Sequence, residues 1–349
     1  MKICCLPVAG GENPYQRLMM TGLRSDERLE VRHGVDGKLF AALRSVMRHG
    51  PDVIHYDWIH RYFLRRHRLL TWIHAPVFVL ELMIVRYVFG CRLVWTMHNL
   101  LTHDQGGGRT ERWVRRRFAG LCEWVRVFDE TTVERARLLL DIPEHAFRVL
   151  PEGSYVGCYR NDVDRASARQ ALGLEPGTFV LLFLGQIRPY KGIEELLASF
   201  RATARRDWRL VIAGMPLDEA YCRNLRAEAA EIDGARLVME YIPDENLQVF
   251  FQAADVVVLP FKKVENSGSA ILAMGFGKPV VAPRLGVLSS RLAQQDDLLY
   301  EPGTLTHALG NLKSLSAGDL QEIGARNLAA LDAYSWDAFA GLFSFPRAR

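Results

Sequence analysis

Two cations, Arg188 and Lys191, fall within the run Gly185-Gln186-Ile187-Arg188-Pro189-Tyr190-Lys191-Gly192. That run follows an apolar stretch, Phe179–Leu184, that reads as a buried strand, and it opens a helical stretch over Gly192–Ala204. A glycine turn at a strand end, two side-chain cations and a following helix N-terminus together make an anion site. Alone, the run reads equally well as a solvated basic turn. A second run, Asn266-Ser267-Gly268-Ser269, follows a strand over Asp255–Pro260 and leads into a helix reaching Phe276. Small residues there bring amide groups close to a diphosphate, and Gly268 permits the approach. Ser267 and Ser269 also suit simple helix capping. Two such runs at strand ends in the same half favour a diphosphate site over either ordinary feature.

Acid–base candidates cluster in the first half. His55-Tyr56-Asp57-Trp58 ends a short strand over Asp52–His55, and Asp57 is the candidate general base, with a helix-capping loop carboxylate as the plain alternative. His60, His98, His103 and Asp104 share the remaining claim. His98 ends a strand over Cys91–Met97, and His98-Asn99 with His103-Asp104 is denser in polar groups than a core requires. No metal site is expected: the one Asp-x-Asp, Asp162-Val163-Asp164, reads as a solvated charge run. Cys4, Cys5, Cys91, Cys122, Cys158 and Cys222 lack ligand spacing and read as reduced thiols.

The elements that must position these groups alternate. Strands and helical stretches follow one another as parallel βαβ units, first over Ile3–Asp129 and again from Phe179 to Ala282. A polar segment over Pro151–Gly177 separates the two series. At 349 residues, 49% hydrophobic and 24% charged, the chain has length for two cores and excludes disorder. The expected fold is α/β: two doubly wound, Rossmann-like domains facing across a cleft, where ligands of open parallel sheets bind. Residues 1–155 form the acceptor-binding domain, 156–335 the nucleotide-sugar domain, and 336–349 a tail packing back toward the first.

The motifs resemble a known family. The runs at Gly185–Gly192 and Asn266–Ser269, with Gly277-Lys278-Pro279-Val280, are similar to the donor half of glycosyltransferases of the B fold, nearest those of bacterial exopolysaccharide synthesis of the xanthan β-mannosyltransferase type. Asn13-Pro14-Tyr15 and Thr96-Met97-His98-Asn99 with His103-Asp104 fit the first half of that pattern. The resemblance implies that Arg188 and Lys191 hold the donor diphosphate above the amides of Ser267–Ser269, without a metal ion or cofactor. It implies that His98 contacts the donor sugar or phosphate. Asn13, Tyr15, His103 and Asp104 fall on the acceptor side. A nucleobase would pack at Tyr241-Ile242-Pro243, and Glu301 either contacts ribose or starts a turn. Retaining relatives carry two glutamates eight positions apart. Glu265 could be the first, but Ala273, or Leu272 in the alternative register, stands at the second. That departure favours inversion with Asp57 as base.

Residues 1–150 carry 23 Lys+Arg against 16 Asp+Glu, whereas the remainder carries 21 against 24. Arg61, Arg65, Arg66 and Arg68 precede the apolar stretch Leu69–Gly90, and Arg109–Arg117 interleave with Trp113 and Phe118. Such a face suits an anionic lipid surface, with an ordinary charged helix face as the alternative. Pro76, Glu81 and Arg86 argue for a buried or membrane-lying helix rather than a span. No nucleic-acid module is present. The expected protein is cytoplasmic, peripheral on the inner face of the membrane, with a nucleotide sugar (GDP-mannose by resemblance) and a polyprenyl-diphosphate-linked or other saccharide acceptor as partners. A retaining transferase of the same fold, a nucleotide-sugar epimerase and a non-catalytic sugar-nucleotide-binding scaffold are the alternatives.

Overall fold

The computed structural model describes residues 1–10, 14–102, 108–203 and 205–344. The chain divides into two compact units, Met1–Gly153 with Ser335–Arg349, and Ser154–Tyr334. Asn13, His103 and Asp104 lie outside the described residues.

In the first unit the strands are β1 (Lys2–Leu6), β2 (Glu30–His33), β3 (Val53–Tyr56), β4 (Arg92–Thr96), β5 (Trp124–Val127) and β6 (Phe147–Val149). They form one parallel sheet in the order β2-β1-β3-β4-β5-β6. Both faces are covered. Cys4, Leu6, Ile54, Tyr56, Leu93 and Trp95 enter one core cluster, while Ile3, Cys5, Val53, Val94 and Trp124 enter the other. This is the alternation that a strand's period of two demands. The helices are α1 (Pro14–Arg24), α2 (Ala41–His49), α3 (His60–Phe63), α4 (Arg68–Met83), α5 (Arg109–Leu121) and α6 (Glu130–Leu140). The chain's last helix, Ala338–Gly341, adds Phe339 and Ala340 to the second cluster. Fully buried Arg126 ties these parts together. It lies 4.9 Å from the Phe128 ring and 4.6 Å from the Phe339 ring, and donates to the carbonyls of Leu150 (3.0 Å) and Pro151 (2.6 Å).

By length and composition, the helical segment Arg68–Val88 could cross a membrane. Its inner face is built into the core through Ala75, Phe78, Leu82 and Val85. Glu81, expected from sequence to disfavour a span, has a specific task. The residue before α2 is Phe40, whose left-handed backbone (φ 51°) offers no side-chain cap. Glu81 Oε1 reaches over from α4 and accepts from the amides of Ala42 (2.7 Å) and Leu43 (3.0 Å). Burial pushes the Glu81 carboxyl up, against the pull of those amides.

In the second unit the strands are β7 (Phe179–Leu184), β8 (Trp208–Ala213), β9 (Ala235–Val238), β10 (Val256–Val258), β11 (Val280–Pro283) and β12 (Leu299–Tyr300). Their parallel order is β12-β11-β10-β7-β8-β9. Helices α7 (Arg165–Ala171), α8 (Ile193–Thr203), α9 (Glu219–Ala230), α10 (Leu247–Ala253), α11 (Gly268–Gly275) and α12 (Val287–Arg291) accompany them. The segment read as a polar linker therefore contains α7. Asp164 caps that helix through the amides of Ala166 and Ser167, and Asp162 pairs with Arg160 at 2.7 Å. The Asp-x-Asp is a capping turn. Strands β2, β6 and β12 were not expected. All three are sheet edges, and Glu30–His33 buries only Val31.

Replacing Glu81 with Ala strands one buried and one part-buried amide and removes the cap of α2. Urea denaturation should show a loss of about 2–3 kcal/mol, against about 1 kcal/mol for Glu81→Gln, which keeps an acceptor.

Candidate active site

In doubly wound sheets, ligands bind where neighbouring strands wind in opposite directions. The second unit has its reversal between β7 and β10, and both phosphate-type runs lie at the carboxyl ends of those two strands. The loops are stitched together by backbone. Lys262 donates to the Tyr190 carbonyl at 2.9 Å, and a side chain at Gly192 (φ 72°) would sit 1.9 Å from the Pro260 carbonyl oxygen. At Gly185 (φ 154°), a Cβ would lie 3.4 Å from Ser269 Oγ. Glycine at 192 is thus required by φ and by space alike.

Between these loops, half-buried Lys191 holds its ammonium 3.7 Å from the Phe261 ring centroid. Burial, with Arg188 adding repulsion, lowers its pKa to about 7. Ser267 caps α11 by accepting from the Ala270 amide at 3.2 Å. Its own amide donates to Asn266 Oδ1 at 2.9 Å. That contact occupies the Ser267 amide, while the amides of Gly268 and Ser269 have no partner among the described residues at the helix start. Glu265 is buried beside them.

Two neighbours escaped sequence reasoning. Buried Arg291 donates to Asn266 Oδ1 (3.2 Å) and the Ser267 carbonyl (3.0 Å), bracketing the turn. No local motif marks it, because its partners lie about 25 residues away. Tyr155 places its ring over Gly268, 3.8 Å from where a Cβ would be. It fell in the segment read as linker. Tyr241 follows β9 at one sheet edge and is exposed. Glu301 follows β12 at the opposite edge, 3.6 Å from Arg284. Five strand spacings put those edges about 24 Å apart, beyond the reach of one nucleoside. One nucleoside therefore meets at most one of these two residues.

The first unit winds in opposite directions from β1 and β3, and the acid–base candidates gather at that seam. Asp57 follows β3, its amide donating to the Leu6 carbonyl at 2.8 Å. Its Oδ1 lies 3.0 Å from His98 Nε2, its Oδ2 accepts from Gln16 Nε2 at 3.4 Å, and its carbonyl accepts from Trp95 Nε1 at 3.2 Å. His98, following β4, stacks on Trp58 with centroids 4.6 Å apart and meets the Tyr15 edge at 4.7 Å. Asp57 is 1% exposed and His98 9%. Both side chains are buried, and the Asp57 carboxylate faces His98. A carboxylate only accepts, so it holds the proton on His98 Nε2 and leaves Nδ1 as the basic nitrogen. Burial pushes Asp57 upward, but His55 and the His98 and Gln16 hydrogen bonds outweigh it, leaving its pKa lowered. His55 Nε2 pairs with Thr96 Oγ1 at 2.9 Å, and burial lowers its pKa to about 4. It is neutral at pH 7, so the direct hydrogen bonds hold Asp57 there.

Among the described residues, no group of three or more His, Cys, Asp or Glu side chains could hold a metal ion. Residues 164–315 match the family Glycosyl transferases group 1. The chain carries a group 1 glycosyltransferase domain. The GDP-mannose:glycolipid 4-beta-D-mannosyltransferase of Xanthomonas campestris pv. campestris is 28% identical over 70% of this chain and 64% of that protein. The chain thus spans just under two thirds of that relative's length. The D-inositol 3-phosphate glycosyltransferase of Rhodococcus erythropolis is 27% identical over 84% of the chain and 68% of that protein. Anabaena HepE in complex with UDP and glucose superposes with a TM-score of 0.76 at 17% identity, covering 99% of this chain and 98% of that one. Sucrose-phosphate synthase from Thermosynechococcus elongatus gives 0.75 at 20%, covering 98% and 96%. Two parallel six-stranded sheets with these neighbours establish the glycosyltransferase-B architecture.

With Lys191 near pH 7 in the free protein, an anionic diphosphate will raise its pKa on binding. Nucleoside-diphosphate affinity should therefore fall as pH rises from 7 to 9, with proton uptake seen as buffer-dependent calorimetric heat. A pH-independent affinity would place the anion away from Lys191.

Proposed function

We propose that the protein is a glycosyltransferase that moves a hexose from a nucleotide-diphosphate sugar to a lipid-linked saccharide acceptor. The observation that carries this reading is the convergence of Arg188, Lys191 and the amides of Gly268 and Ser269 where β7 and β10 diverge, inside a group 1 domain. Nucleoside diphosphate departs as a multiply charged anion, and fixed cations with oriented amides stabilise that charge as it develops. On this reading the transfer needs no metal ion. GDP-mannose is the first donor to test, because the Xanthomonas relative is named for that donor and a glycolipid acceptor.

Transfer forms a bond from the acceptor oxygen to the anomeric carbon. The bond from that carbon to the diphosphate oxygen breaks, the electron pair leaving with the diphosphate. The acceptor proton goes to His98 Nδ1, while Asp57 stabilises the imidazolium through Nε2. The reading is inverting: α11, Gly268–Gly275, carries no carboxylate, so the second glutamate of retaining relatives has no counterpart on it. A retaining transferase would give the opposite anomer, an epimerase would turn over donor without acceptor, and a scaffold would bind without turnover. We place the protein on the inner face of the cell membrane, where such acceptors would be presented.

A thermal-shift screen of nucleotide sugars, then lipid-linked acceptor assays with product anomers resolved by NMR, tests the reading. Asp57→Asn should lower kcat about 10²–10⁴-fold with donor affinity unchanged, since it misplaces the His98 proton without touching the diphosphate site. Unchanged kcat would remove the Asp57–His98 pair from the chemistry.

A further inference from the structure

Helices α4 and α5 bring their N-terminal turns to one concave pocket of about 630 Å³, away from the Asp57–His98 seam. Arg65, Arg66, Arg68, Trp72 and Arg109 line it. Arg65 is committed to structure, donating to the carbonyls of Arg61, Leu64, Lys38 and Tyr62. Arg66, Arg68 and Arg109 are exposed and have no carboxylate partner among the described residues. The pocket's single acid, Glu111, is buried and neutralised by Arg115 at 2.8 Å, and it accepts from the Thr102 amide and hydroxyl at 3.0 Å. Neither helix has a side-chain cap at its start, so both helix termini add positive potential.

The pocket opens onto an apolar surface. Along α4, Leu69 is 70% exposed, Trp72 61% and Ile73 60%, and Leu80, Tyr87 and Val88 continue the stripe. The opposite face of α4 is fixed in the core, so the segment lies flat on the first unit. A soluble anion would explain the arginines but leave this stripe unused; an apolar partner would explain the stripe but leave three cations unpaired. A membrane lipid satisfies both, with its phosphate at the arginines and its chains against the stripe.

We infer that this pocket binds the phosphate headgroup of an anionic membrane lipid, seating the first unit on the bilayer with α4 in the interface. The inference deepens the lipid-linked acceptor reading and rests on it. Vesicle binding is nonetheless measured without donor or transfer, which separates the two. Failure of the wild type to bind anionic vesicles, with transfer to a detergent-dispersed lipid-linked acceptor intact, would overturn the pocket alone; vesicle binding by the wild type without transfer to any acceptor would overturn the transferase reading.

The experiment is cosedimentation of the full chain with vesicles of phosphatidylcholine, alone or with roughly a third phosphatidylglycerol, each basic residue near such a surface being worth about five-fold in partition. The wild type should bind the anionic vesicles strongly and the neutral ones weakly. The triple variant Arg66→Glu, Arg68→Glu, Arg109→Glu should lose at least about 100-fold. Trp72→Ser with Ile73→Ser should weaken binding at both compositions, and Lys313→Glu, exposed on the second unit, should change nothing. Equal binding by the triple variant and wild type would overturn the inference. So would binding of inorganic phosphate at the pocket without vesicle binding, which would make a soluble phosphate the occupant, or capture of a protein in place of vesicles.

Discussion

In each unit the parallel sheet winds outward in two directions from one pair of neighbouring strands, β1 and β3 in the first and β7 and β10 in the second. The connections that follow such a pair diverge, so the strand ends between them are left uncovered. The candidate acid–base pair and the candidate anion site each sit on one of those two seams. Asp57 and His98 reach the first from β3 and β4, with Gln16 on α1 completing the cluster. Arg188, Lys191 and the start of α11 reach the second. The backbone contact of Gly192 with Pro260 sets how closely the two loops of that second seam can approach. It thereby fixes where the cations stand relative to the free amides.

The two seams are tuned in opposite directions. In the first unit, a carboxylate is buried and held ionised by direct hydrogen bonds, so that its charge acts on one imidazole instead of on solvent. In the second, burial and a neighbouring guanidinium weaken the hold of the Lys191 ammonium on its proton. Elsewhere, Glu81 secures the start of α2, and Arg291 brackets the turn ahead of α11. Titratable groups perturbed by burial and by neighbouring charges in this way are concentrated at functional sites.

How much of this was legible depended on locality. The β7 strand is readable to the residue because all six positions are apolar and the last five are buried. The loop runs at Gly185–Gly192 and Asn266–Ser269 stand out because each is contiguous in sequence. Edge strands β2, β6 and β12 were not, since an edge position needs no continuous apolar run. Asp57 is conspicuous in the sequence, yet its contact with His98 spans 41 residues, and the burial of both leaves no local sequence mark. Arg291 and Tyr155 were invisible for the same reason. Helix α7 was masked by the glycines and charges around it, which form its cap and the turn that follows.

The account turns on the claim that Arg188 and Lys191 hold the diphosphate of the donor. Isothermal titration of the preferred nucleoside diphosphate into the wild type, Arg188→Ala and Lys191→Ala at pH 6.5 tests it most directly. Each substitution should weaken binding by at least about 30-fold, the loss expected for a charge-assisted contact of about 2 kcal/mol or more. Affinities within about three-fold of wild type for both variants, a difference under about 1 kcal/mol, would contradict the placement of the donor at the β7–β10 seam.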